Sequence, residues 1–205
     1  MSVLVAKELS SVLGSRLTIG RINIGLLNRI IIDDLMLNDQ SGKELLKVGR
    51  LSAKFEILPL FNGRISIGNV QLFSFNANLE KPTPQATSNF QFVLDAFASK
   101  DTVKKKSNLD LRINSLLIRR GRVSYDVLSA ERTPGKFNPQ HIRLSNILAN
   151  ISLKALQSDS INAAIKRMSV EEDHSGFELK KLSLKIVANN KKMWIENFAI
   201  DLPNT

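Results

Sequence analysis

Two histidines, one pair of adjacent aspartates and one acidic triplet are the residues of this chain whose chemistry could serve catalysis. His141 and His174 are its only imidazoles. Each reads as a surface or turn residue rather than a metal ligand or general base. Asp33/Asp34 and Glu171/Glu172/Asp173 have the oxygens for a divalent cation or for acid–base work. Adjacent residues on a strand point to opposite faces, so Asp33 and Asp34 should not converge. The triplet reads as the solvated end of a hairpin. With no cysteine there is no disulfide framework, no thiol nucleophile and no thiolate metal site. No G-x-G-x-x-G or P-loop pattern is present to cradle a nucleotide phosphate. These residues predict a protein that is not an enzyme and has no metal or other cofactor.

What the chain does have in quantity is a repeated apolar spacing, apolar-x-apolar-x-x-apolar-x-apolar. It occurs at Leu17, Ile19, Ile22 and Ile24, at Leu46, Val48, Leu51 and Ala53, at Ile65, Ile67, Val70 and Leu72, and at Phe177, Leu179, Leu182 and Leu184. Looser copies are Ile30/Ile32/Leu35/Leu37, Leu111/Ile113/Leu116/Ile118, Ile142/Leu144/Ile147/Ala149, Ala163/Ile165/Met168/Val170 and Met193/Ile195/Phe198/Ile200. On a helix these offsets scatter around the cylinder. On a strand the two-residue steps stay on one face and the three-residue step flips it, unless one extra residue restores the face. A β-bulge supplies that residue, and Gly20, Gly49 and Gly68 stand where a bulge favours positive φ. Aligned bulges would curl the whole sheet.

The elements that carry the repeat follow from turn and helix signals. Val5, Leu9, Val12 and Leu13 before Gly14 predict an amphipathic helix over 3–13. Phe90, Val93, Leu94 and Phe97 predict a second, with Thr87 or Ser88 as its cap. Strands are expected near 16–25, 29–38, 45–57, 64–80, 109–119, 121–128, 141–154, 160–172, 176–188 and 192–202. Turns are expected at Asp39–Gly42, Asn62-Gly63, Pro134-Gly135 and Ser175-Gly176, with Pro59 at an edge or corner. Residues 161–168 fit either period and are read as strand because the repeat runs through them. The charged stretch 100–108 reads as a surface loop, the best internal boundary of one domain spanning 1–205. The expected fold is mainly β: a curved antiparallel sheet forming an open trough, with two short amphipathic helices.

Composition limits the partners. A net charge of +10 and a pI near 10 favour anionic surfaces. No aromatic platform accompanies Lys104–Lys106, Arg119/Arg120/Arg122 or Lys191/Lys192, so nucleic acid is not an expected partner. No apolar run reaches the roughly 20 residues of a membrane helix, and the start lacks a signal-peptide pattern.

The sheet also poses a burial problem. Ten strands at about 4.8 Å spacing give an apolar side of about 50 Å, whereas two helices of about 15 Å each cover only part of it. A second sheet layer, as in a closed β-sandwich interaction module, would be the plain solution. A bound lipid chain or further stacked repeats would be functional ones. For a lipid the contact candidates are Leu17, Ile19, Ile22, Ile24, Ile30, Ile32, Leu35, Leu37, Leu51, Phe55, Ile65, Ile67, Val70 and Leu72.

Several segments, in their order, carry a family resemblance. They are Leu13-Gly14 closing a helix, Leu17 to Ile24, Ile30 to Asp39 followed by Gln40-Ser41-Gly42, Glu44-Leu45-Leu46, and Leu58-Pro59-Leu60-Phe61-Asn62-Gly63 before Ile65 to Leu72. They resemble the N-terminal region of AsmA-like proteins, in particular the TamB family, the inner-membrane component of the translocation and assembly module. Arg120-Gly121-Arg122-Val123-Ser124-Tyr125 and Ser175-Gly176-Phe177-Glu178-Leu179 look like the continuation of that architecture. The resemblance implies a Gram-negative envelope protein, periplasmic and tethered to the inner membrane by an N-terminal anchor. It also implies lipid transport toward the outer membrane and a part in outer-membrane protein assembly and secretion. Phospholipid acyl chains are then the expected ligand, and an outer-membrane barrel a partner reached through further C-terminal parts. An anchor and a long repeat array are features of that family beyond the residues present, so the chain reads as a fragment. A scaffold or chaperone that pairs its open sheet edge with nascent outer-membrane strands is the alternative.

Overall fold

A computed structural model of the chain describes residues 2–25, 28–56, 65–98, 109–110, 114–157, 160–189 and 192–203. Ten strands join in one sheet that does not close on itself. They are β1 (Leu17–Gly25), β2 (Arg29–Asn38), β3 (Glu44–Glu56), β4 (Ile65–Lys81), β5 (Leu109–Asp110), β6 (Ser115–Val127), β7 (His141–Gln157), β8 (Ser160–Glu172), β9 (Phe177–Asn189) and β10 (Met193–Asp201). Two helices accompany them among the described residues, α1 (Ser2–Leu13) and α2 (Gln91–Ala98). The strand order is β1-β2-β3-β4-β6-β7-β8-β9-β10, with β5 also paired to β4. The mainly-β, curved open trough expected from the repeat is what forms.

Two details differ from the expectation. The β4/β6 and β4/β5 pairs are parallel, because the chain leaves β4 at Lys81 and crosses back through a connection containing α2 before β6 begins. The break expected near position 120 is absent: β6 runs unbroken through Arg120 and Gly121, and only the two-residue β5 precedes it. The ambiguous stretch 161–168 lies in strand β8.

Local chemistry sets the element ends. Gly14 takes φ 62°, and the Ser15 N–H bonds back to the Ser10 carbonyl at 3.2 Å, a Schellman closure of α1. The Ser10 hydroxyl then accepts from the Leu17 N–H at 2.9 Å, fastening the helix to the edge of β1. At the next turn Asp39 Oδ1 accepts from the Ser41 N–H, the Ser41 hydroxyl and the Lys43 N–H at 2.7 to 2.9 Å, while Gly42 takes φ 89°. The expected turns at 134–135 and 175–176 form, with both glycines at positive φ. The turn at Asn62-Gly63, the Pro59 corner, the loop after α2 and the side chains of Leu94 and Phe97 lie outside the described residues.

Burial is shallow for a chain of this size. It exposes 13911 Å², against the ~9,600 Å² expected of a compact 22.9 kDa globule. One cluster (Ala6, Leu17, Leu37 and Leu45, with Phe90, Phe92 and Val93 against it) lies under α1 and α2. A second (Ile147, Val170 and Leu179) lies on the sheet itself. No second sheet layer covers the apolar side among the described residues, so the closed sandwich is not the fold.

Candidate functional site

The repeat is written into the backbone as a line of kinks that crosses the strands. Pairing is in register above and below one level, and at that level Gly20, Asp34, Gly49, Ser74, Arg120 and Asn146 lie on successive strands. Asp34, Ser74, Arg120 and Asn146 take φ of 55°, 53°, 57° and 49°. Each kink places two consecutive residues outward, which gives the order in-out-in-out-out-in-out-in and explains the three-residue step. The glycines do not supply the positive φ, contrary to expectation. They make room for the residues that do: a Cβ on Gly20 would sit 3.0 Å from the Asp34 Cβ, and one on Gly49 would sit 3.3 Å from the Ser74 Cβ. Gly68, the third expected bulge, falls where the β3/β4 register shifts by one residue.

Register then gathers the inward positions into rows. Ile22, Ile32, Leu51, Leu72, Ile118, Ala149, Met168, Leu182 and Ile200 are partners in succession from β1 to β10. Ile24, Ile30, Ala53, Val70, Leu116, Ile151, Ile165 and Leu184 form the next row. Across the kink line, Ile19, Leu35, Val48 and Phe75 form another, and Leu17, Leu37, Leu46, Ala77, Val123 and Leu144 the last. Phe75, Val123, Ile118 and Met168 all pack against Ile147, Val170 and Leu179, so rows from both sides of the kink share one face. At about 4.8 Å per strand, this face is about 40 Å across.

The site candidates fall into three groups. Leu17 and Leu37 are sealed beneath the helices as core. Ile19, Ile22, Ile30, Ile32, Leu35, Leu51, Val70 and Leu72 are half-buried along the hollow, while Ile24 is 76% exposed at a strand end. The side chains of Phe55, Ile65 and Ile67 lie outside the described residues. The lipid-contact candidates on β4 stop at Leu72 and omit Phe75 and Ala77, although Val70, Leu72, Phe75 and Ala77 repeat the same spacing within the expected strand. The helices cover the β1 side. On the far side Met193, Ile195, Phe198 and Ile200 of β10 are 52–66% exposed.

The groups singled out for catalysis are tied into the scaffold. His141 is buried rather than on the surface: Nδ1 is 2.7 Å from Asp126 Oδ1 and Nε2 is 3.0 Å from the Ala130 carbonyl, closing the loop between β6 and β7. His174 is in the turn after β8, 3.3 Å from Glu172. Asp33 and Asp34 do share one side, because positive φ at Asp34 breaks the alternation, and both line an outer hollow with Arg21 and Arg50. Arg50 occupies Asp33 at 2.6 Å, and this hydrogen bond holds the Asp33 carboxyl below the usual range.

Glu172 is buried, not solvated. Burial alone would raise its pKa, but bonds from the Ser175 hydroxyl (2.6 Å), the Ser175 N–H (2.8 Å) and the Arg143 N–H (3.2 Å) lower it to about 2. A carboxyl lowered by folding stabilises fully above its unfolded pKa and loses that contribution as pH falls toward 2. Glu172→Gln should therefore cost on the order of 2 kcal/mol at neutral pH and flatten acid unfolding between about pH 4.5 and 2, as read by urea denaturation across pH.

Among the described residues, no helix is long and apolar enough to cross a membrane. No protein-family model matches the chain, and no curated protein matches it.

Proposed function

We propose that the chain holds lipid acyl chains along the apolar face of its trough, with headgroups at the wet opening. The observation that carries this reading is the row from Ile22 to Ile200, an aliphatic path across nine strands that is buried at Ala149 and elsewhere stays partly exposed, with no covering layer among the described residues. Each methylene withdrawn from water onto such a surface contributes about 0.8 kcal/mol. An apolar face this large without a partner marks a binding surface. The resemblance to AsmA-like and TamB proteins adds the setting: a periplasmic segment tethered to the inner membrane, conducting phospholipid in outer-membrane biogenesis.

A photoreactive phenylalanine analogue tests this when placed at Leu72 or at its neighbour Gln71. Leu72 lies in the inner row, whereas Gln71 is on the opposite face of the strand, where it accepts from Arg29. Irradiation in membranes should attach phospholipid at position 72 and not at 71. Equal labelling at both would remove the trough as the binding surface.

One observation favours a second reading, a scaffold for nascent barrel strands. Every residue of β10 is exposed, and its outer edge is unpaired among the described strands. Capture there would proceed by β-augmentation. It would depend on the β10 backbone rather than on the Ile22 row, so substitutions in that row would leave it intact.

A further inference from the structure

The outer face carries a hollow that the trough reading does not use. Where the kink line passes from β4 to β8, an open depression of about 660 Å³ is lined by Ser74, Arg119, Arg120, Asn146, Ser169 and the Phe73 side chain, among others. No carboxylate lines it among the described residues. In the adjoining hollow the opposite holds, since Asp33 and Asp34 are present and Arg50 is ion-paired. On the far side, Glu171 accepts from the Asn146 amide at 2.8 Å.

Backbone conformation makes this depression unlike the rest of the line. Asp34, Ser74, Asn146 and Asn197 are short polar residues at the other kinks, three of them of the type that tolerates positive φ best. Arg120 holds φ 57° with a long side chain that gains nothing from that conformation. Its effect is to bring Arg119 and Arg120, consecutive in a strand, to one hollow instead of opposite faces. A backbone outlier of this kind, paired with two guanidinium groups that no carboxylate among the described residues answers, points to a ligand.

We propose that this hollow binds a phosphate group between Arg119 and Arg120. Guanidinium forks match phosphate oxygens in pairs, and the serine hydroxyls can donate to the oxygens that remain. A phospholipid headgroup and free inorganic phosphate present the same chemistry.

Titration with inorganic phosphate at fixed ionic strength, followed by phosphorus NMR, tests the proposal. Saturable binding is expected, weakened at least tenfold in Arg119→Gln/Arg120→Gln and changed less than twofold in Arg50→Gln. Arg120→Asn suits the backbone better, so it should melt no lower than the parent yet bind phosphate several-fold more weakly, which separates loss of the site from loss of the fold. Vesicles of phosphatidylglycerol in phosphatidylcholine distinguish the sources. Binding that phosphate displaces and the double variant loses assigns the headgroup; vesicles that fail to compete assign free phosphate. Absence of saturable phosphate binding overturns the proposal, as does equal weakening by Arg50→Gln, which would reduce the effect to general positive charge.

Discussion

Ile22→Asp and Val70→Asp should each abolish retention of phospholipid by a protein that remains folded. Both side chains are half-exposed on the inner face, so an aspartate there keeps water when the trough is empty. Once acyl chains lie across the row, the same carboxylate has neither water nor a cation, at a cost of several kcal/mol. That is enough to offset burial of several methylenes. Asn23→Asp, exposed on the opposite face of β1 beside Ile22, is the control and should retain lipid at the parental level. Lipid extraction and quantitation after purification, with circular dichroism to confirm folding, reads all three. Folded inner-face variants that keep their lipid would remove these positions from the path.

Gly121→Val should destabilise the sheet by about 1–3 kcal/mol, the range of overpacked interior positions. A Cβ at Gly121 would run into the ring of Phe75, which packs inward beside Ile147. Displacing that ring opens the join between the two halves of the sheet, where β4 and β6 run parallel. Phe75→Ala should itself lower stability, yet in the double variant it should recover most of the loss from the valine, because the collision is gone. Urea unfolding of the four proteins gives the coupling energy. Additive losses would mean that Gly121 is required for some reason other than room for Phe75.

Much of this architecture is legible in the spacing of apolar residues. The offset of three between Ile19 and Ile22, or between Ile195 and Phe198, marks a strand with two consecutive outward residues, and the structure has a kink at or opposite each such step. The conformation at the kink was less legible. Glycine is the residue freest to take positive φ, so Gly20 and Gly49 drew attention, yet the positive φ sits on Asp34 and Ser74 opposite them. A close approach between strands is a pair property, and one strand's sequence does not show its register. The same limit hid the buried bonds of His141 and Glu172, whose partners are other loops and strands, whereas the third inner pair of β4, Phe75 and Ala77, is legible in the spacing that starts at Val70. Parallel pairing of β4 and β6 was hidden for another reason: a crossover containing α2 and a hairpin with a long loop look alike until the strands are placed.

The most direct measurement is native mass spectrometry of the chain purified from membranes in mild detergent. Bound species with the masses of intact phospholipids, present in the parent and missing from Ile22→Asp, are the predicted result. A parent that flies at its bare mass, and takes up no phospholipid when lipid is added back, would contradict the account: its aliphatic rows would then be only an incomplete core.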